Sequence, residues 1–125
     1  MEKLTQKTVP PADMPEAADP DLNAIANELG LTMAMPQPGS LAWKRLVAVC
    51  HQYISKVDYI QDSPLIRSGN LELLENSEAN RRDLHDQLAV MLFGKKRFML
   101  SPTQQNQASD FAALVCGRRE LKGAW

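Results

Sequence analysis

Apolar residues recur at helical spacing, three and four positions apart, over most of the chain. The longest stripe begins after Ser40, a suitable N-cap residue, and runs to about Ile60. Its apolar side chains recur three and four positions apart: Trp43, Leu46, Val47, Cys50, Tyr53, Ile54 and Val57. Ala42 and Val49 widen the stripe, which therefore predicts a central helix that is contacted from more than one side.

A second helix is predicted by the sequence that starts at Ser101. A serine N-cap, Pro102 at the first helical position and Gln104 at the third form a capping box, in which two side chains satisfy each other's free backbone donors. An apolar stripe then follows, and Gly117 is placed to end the helix: Ala108, Phe111, Ala112 and Val115.

The region between these two helices has weaker boundaries. An apolar stripe from Leu84 to Leu92 predicts a helix that ends at Gly94. Residues 68–70 (Ser-Gly-Asn) break the pattern, and residues 76–78 (Asn-Ser-Glu) look like a new cap, so residues 70–93 form one helix or two. Residues 98–100 (Phe-Met-Leu) are interpreted as a brief apolar link in extended conformation.

The N-terminal part of the chain has a different character. Residues 1–20 contain four prolines and few apolar side chains, which predicts a flexible, acidic arm. Residues 21–39 form a short helix and a proline-rich linker, with Leu22, Ile25 and Leu29 on one face. Because so short a helix is unstable alone, it must dock on the body of the protein or on a partner. Residues 40–125 form the helical domain.

These elements predict an all-α fold, a small bundle of four to five helices behind a flexible N-terminal arm. At 125 residues the chain is long enough to bury a core of its own. No window shows the sustained alternation that is typical of a β-strand.

Charge and composition exclude only a few classes of function. The net charge is −1, with −4 in residues 1–40 and +3 in residues 41–125. No stretch approaches the ~20 apolar residues of a membrane span, and no signal peptide is indicated, so we expect a cytoplasmic protein. The two cysteines, Cys50 and Cys116, are interpreted as free thiols.

The sequence contains no pattern that points to catalysis. Cys50 and His51 are adjacent, but consecutive residues point about 100° apart on a helix, so they do not form a nucleophile–base pair. Two histidines and two cysteines show no spacing typical of a metal site. Glycine-rich phosphate loops and hydrolase motifs do not occur. We therefore expect no enzymatic activity, no metal and no cofactor.

Three groups of charged residues are candidates for binding. Arg81, Arg82 and His85 would lie on one helix surface, either as an anion site or as a solvated face with ion pairs. Two basic groups follow helix ends, where the helix dipole favours positive charge: Lys95, Lys96 and Arg97, and Arg118, Arg119 and Lys122. Together these two groups would contact nucleic-acid phosphates if the fold brought the helix ends together.

The function that fits these features best is a small binding or regulatory protein, an adaptor or inhibitor, that acts through a protein partner. Such proteins include accessory proteins encoded by mobile elements. The candidate partner contacts are Leu22, Ile25, Leu29, Arg81, Arg82, His85 and Trp125, a terminal tryptophan that either packs on the body or inserts into a partner. The alternative is nucleic-acid binding through the basic helix ends. A homo-oligomer is also compatible with the pattern.

Overall fold

The computed structural model describes residues 19–118, which form five α-helices and one 3₁₀ turn. In chain order the elements are α1 (Leu22–Glu28), α2 (Leu41–Asp62), α3 (Pro64–Arg67), α4 (Leu71–Phe93), the 3₁₀ turn η1 (Arg97–Met99) and α5 (Pro102–Val115). No strand occurs in this range, which confirms the all-α class. Within the same residues, none of the helices combines the length and the apolar character needed to cross a membrane. Residues 1–18 of the predicted arm lie outside the described range.

Side-chain caps start the two helices that the sequence defined best. At α2, the hydroxyl oxygen of Ser40 accepts a hydrogen bond from the backbone amide of Trp43 at 3.1 Å. At α5, Ser101 accepts from the amide of Gln104 at 3.2 Å, and the Gln104 side chain accepts from the amide of Ser101 at 3.1 Å. The predicted capping box is therefore confirmed.

Helix α4 is continuous, so the cap expected at residues 76–78 was wrong. Its N-cap is Asn70, whose side chain accepts a hydrogen bond from the amide of Leu73 at 3.0 Å. Ser77 lies buried in the middle of the helix, where tertiary packing overrides its preference for a cap. The helix ends as predicted at Gly94, whose positive φ of 74° is a left-handed conformation that glycine adopts without strain.

Helix α2 is the centre of the bundle, packed against both α4 and α5. Helices α2 and α4 run antiparallel, because Ala42 and Leu46 lie beside Met91 while residues 51–59 lie beside residues 80–84. The largest fully buried side chains come from all three of these helices: Tyr53, Phe111, Leu88, Leu92, Val57 and Cys50. Helix α2 is therefore contacted from two sides, as its broad apolar stripe predicts, by residues of α4 and of α5.

The short helix α1 docks on the body of the protein, which decides between the two alternatives left open by the sequence. Leu22 is only 3% exposed and belongs to the common core, together with Ala26 and Leu31. Ile25 and Leu29 are half-buried against the same core. The side-chain amide of Gln107 in α5 also donates to the carbonyl of Leu29 at 2.9 Å. The apolar face proposed for a partner is therefore used within the chain.

Candidate functional site

The turn between α4 and α5 has a backbone that is fixed from both sides. The carboxylate of Asp86 in α4 accepts a hydrogen bond from the backbone amide of Arg97 at 2.9 Å. The side-chain amide of Gln105 in α5 donates to the carbonyls of Arg97 and Leu100, at 3.1 and 3.2 Å. Leu100 is buried. These residues form a 3₁₀ turn rather than the extended link expected from the sequence, because Asp86 and Gln105 satisfy its backbone groups.

The two side chains at the apex of this fixed turn point into solvent. Phe98 is 72% exposed and Met99 is 59% exposed. On α4, Val90 and Met91 are also large apolar residues with exposed side chains. We call Val90, Met91, Lys95, Lys96, Phe98 and Met99 the α4–η1 surface.

Two shallow grooves meet at Met91 on this surface. One has a volume of about 310 Å³ and is lined by Val90, Met91 and Lys96, together with Asp83, Asp86 and Gln87. The other has a volume of about 250 Å³ and is lined by Met91 and by residues of α2 and the preceding linker: Pro36, Ala42, Arg45 and Leu46. The exposed thioether of Met91 is therefore a ridge between two depressions.

The structure does not bring Arg81, Arg82 and His85 together on one surface. Arg81 is largely buried and pairs with Glu78 at 2.6 Å, whereas Arg82 is exposed. His85 is buried, so its predicted role as a surface contact is wrong. The ion pair on this part of α4 joins Glu78 to Arg81, three residues along the helix.

His85 instead belongs to a buried polar network that joins three helices. Its Nε2 donates to the carbonyl of Gln105 at 3.1 Å and lies 3.4 Å from the hydroxyl of Ser109, which is 3.0 Å from the hydroxyl of Tyr53. Burial lowers the pKa of His85, and the charge of Arg97 acts in the same direction. A neutral imidazole in this position holds α4 against α5, next to the residue that fixes the turn.

Arg97 and Arg118, one described residue from each basic group, lie at opposite ends of α5 rather than side by side. Gln105 places Arg97 at the start of this helix, while Arg118 follows its end, about 21 Å away for 14 helical residues. Arg118 is also engaged with Asp58 in a two-bond ion pair, at 2.8 and 2.5 Å. These two arginines therefore do not share one phosphate site. Arg119, Lys122 and Trp125 lie outside the described residues.

A thiol–imidazole contact forms between two residues that are 65 positions apart. The Sγ atom of Cys116 lies 3.4 Å from Nδ1 of His51, a contact between the end of α5 and α2. Burial raises the pKa of the Cys116 thiol, and the adjacent C-terminus of α5 opposes negative charge on it. Both effects keep the sulfur protonated, which is unfavourable for a nucleophile.

A groove of about 580 Å³ lies beside His51, between α2 and α4. Most of its lining residues carry a polar group: His51, Gln52, Ser55, Lys56, Tyr59, Asn80, Asp83 and Leu84. The Lys56 ammonium lies 5.2 Å from the centre of the Tyr59 ring, within the distance of a cation–π contact. Among residues 19–118, no three potential ligands are grouped closely enough to hold a metal ion.

No signal in the sequence distinguishes Phe98 and Met99 from core residues. The signal for the turn itself was present, since three apolar residues stand between a glycine that ends one helix and a serine that caps the next. A comparison of the chain with protein-family models, with curated proteins and with solved structures finds no match.

Proposed function

We propose that this protein is a non-enzymatic binding or regulatory module that acts through a protein partner, and that the partner docks on the α4–η1 surface. The observation that carries this proposal is the exposure of Phe98 and Met99 on a backbone held by Asp86 and Gln105. Aromatic and methionine side chains are enriched in protein interfaces, where their burial supplies much of the binding energy.

A fixed backbone favours binding by reducing its entropic cost. A loop that must be ordered on binding loses part of the interaction energy to that ordering, whereas a turn that is already held loses little. Exposed apolar residues also lower solubility and favour aggregation unless they are used in an interaction. The combination of a held turn with two exposed apolar side chains therefore supports a docking role more than a connecting role.

Nucleic-acid binding is supported less well by the same geometry. Phosphate contacts need several free cations on one surface, and Arg118 is paired with Asp58 at the other end of α5. Lys95 and Lys96 are exposed, but they flank apolar side chains. This arrangement fits a protein interface with a basic rim better than a phosphate-binding strip.

The test is an affinity capture from lysate of the source cells, treated with nuclease, with three forms of the tagged full-length chain. The first is the unchanged protein, and the second carries Phe98→Ser and Met99→Ser. The matched control carries Leu65→Ser and Leu71→Ser, which remove two apolar side chains that are 59% and 70% exposed near the other end of α4. Thermal unfolding of each form establishes that it is folded.

We expect a stoichiometric protein partner with the unchanged chain and with the control, and its loss with the Phe98/Met99 variant. A partner retained equally by all three forms would show that the docking surface lies elsewhere. Recovery of nucleic acid, with binding that weakens steeply as salt rises, would support the alternative function.

A further inference from the structure

We propose that the α4–η1 surface binds an acidic amphipathic helix, a partner segment whose apolar stripe is flanked by aspartate and glutamate. This inference rests on the proposed function and specifies the chemistry of the partner. It follows from the distribution of charge in the bundle and from the shape of the surface around Met91.

Charge is segregated along the bundle. Residues 29–50 and 87–109 supply the α4–η1 surface and most of the residues that line its two grooves, and they contain five basic residues and no acidic one. Residues 51–86 contain four basic and seven acidic residues. The five basic residues are Lys44, Arg45, Lys95, Lys96 and Arg97. An end of the molecule that combines such charge with exposed apolar side chains is complementary to a partner that is both apolar and acidic.

The nearest acidic side chains lower this charge but do not reverse it. Asp83 and Asp86 line the same groove as Lys96, and together with the five basic residues they leave this end with a formal charge of +3. Asp86 accepts a hydrogen bond from the backbone amide of Arg97, and Asp83 accepts one from the side-chain amide of Gln87 at 2.9 Å. Arg45, Lys95 and Lys96 are exposed, and they form a basic rim that faces an approaching partner.

The shape of the surface favours a helix over a flat lipid surface. The two grooves on either side of Met91 are depressions of about 310 and 250 Å³, which suit the projecting side chains of a helix. Helices that bind in this way insert apolar residues spaced three and four positions apart. The flexible thioethers of Met91 and Met99 can adapt to such residues.

A second copy of the chain fits this surface less well. In a symmetric pair, the same surface of both copies meets across a twofold axis. The exposed cations Lys95, Lys96 and Arg45 of both copies would then lie in one interface, and like charges gathered at an interface are unfavourable. An acidic partner removes this repulsion.

The experiment is a selection from a displayed library of amphipathic helical peptides, with apolar residues fixed on one face and the flanking positions randomised. The bait is the full-length protein. We expect the selected peptides to be rich in glutamate and aspartate at the flanks, and to lose binding to the Phe98→Ser/Met99→Ser variant. Replacing Lys95 and Lys96 by glutamate should weaken binding at least about tenfold.

A matched control tests whether position matters as well as net charge. The control carries Arg67→Glu and Arg82→Glu, two exposed cations outside the α4–η1 surface, and it changes the net charge equally. We expect it to bind the selected peptides with nearly unchanged affinity. Equal weakening by both charge reversals would overturn the assignment of the basic rim.

The other outcomes separate the inference from the function on which it rests. Selected peptides that need Phe98 and Met99 but are neutral or basic would overturn the acidic partner and leave the docking surface intact. A selection that yields no peptide dependent on these two residues would contradict both proposals. Binding of the unchanged protein to phosphatidylserine vesicles, abolished in the Phe98/Met99 variant, would replace the helix by a lipid surface.

Discussion

The carboxylate of Asp86 accepts a hydrogen bond from the backbone amide of Arg97 at 2.9 Å, across eleven residues of chain. This bond fixes the start of the 3₁₀ turn to the last part of α4. Its consequence is that the exposed side chains after Arg97 have a defined position relative to Val90 and Met91, although the connection from α4 to α5 contains eight residues.

Replacing Asp86 by alanine should release this turn. We expect the free energy of unfolding to fall by about 1.5–3 kcal/mol, because one part-buried hydrogen bond to a charged group is lost. Amide hydrogen exchange at residues 97–100 should become faster. Asp83→Ala is the control, since its bond to Gln87 is exposed and its loss should change neither quantity appreciably. Unchanged exchange at residues 97–100 in the Asp86 variant would contradict this role.

Leu22 should contribute to the stability of the whole domain. Leu22→Ala removes a side chain that is 3% exposed in the common core, and we expect the free energy of unfolding to fall by about 2–4 kcal/mol. Leu65→Ala, at an exposed position of α3, should change it by less than about 0.5 kcal/mol. Chemical denaturation measures both variants. A small effect at Leu22 would indicate that α1 detaches in solution.

Tyr53 and Ser109 should be energetically coupled. Their hydroxyl groups lie 3.0 Å apart in the core and link α2 to α5. We expect Tyr53→Phe and Ser109→Ala each to lower the free energy of unfolding by about 1–2 kcal/mol, since each leaves a buried polar atom with fewer partners. A double-mutant cycle should give a coupling of about 1 kcal/mol. Strictly additive effects would show that the hydrogen bond is not formed in solution.

Stability should decrease as the pH falls below the ordinary pKa of histidine, and His85 should be a cause. Burial, with the charges of Arg97 and Arg81, lowers the pKa of His85, although the carbonyl of Gln105 and the carboxylate of Asp86 oppose the shift. The unfolded chain therefore binds a proton first, near pH 6.5. The stability that comes from neutral His85 is complete above that pH and is lost as the pH falls toward the lower pKa of the folded state.

The measurement is the free energy of unfolding between pH 7.5 and pH 5 for the unchanged protein, His85→Gln and His51→Gln. The loss of stability on acidification should be smaller for His85→Gln than for the unchanged protein. His51→Gln removes the only other histidine, which is exposed, and should keep the full loss. An identical pH dependence in all three proteins would contradict this explanation.

Most of the helices could be predicted from the sequence because the signals that define them are local. The capping box at Ser101 and the apolar stripe after Ser40 depend on residues within one or a few turns, and both are present in the structure. Asn70 was recognised as part of a break but not as the cap of one 23-residue helix, because a second cap-like sequence follows it. The four-residue helix α3 was missed, since so short a helix has no periodic apolar pattern.

The candidate site depends on contacts between distant parts of the chain, which no local pattern contains. The exposure of Phe98 results from Asp86 and Gln105, which hold the turn from two different helices. The contact between Cys116 and His51 joins residues on α2 and at the end of α5. In both cases the residue types are visible in the sequence. The surroundings of these residues depend on how the helices pack, which no local pattern indicates.

Within residues 19–118, the segregation of charge along the bundle also produces an electric dipole moment. The helix dipoles of α2 and α4 largely cancel because these helices are antiparallel, but the charged side chains have no such compensation. When an acidic molecule diffuses toward the protein, the bundle therefore experiences a torque before contact. This torque turns the end that bears Phe98 toward the acidic molecule. The positions of the lysines and arginines therefore influence the rate of productive encounter as well as the affinity of the final complex.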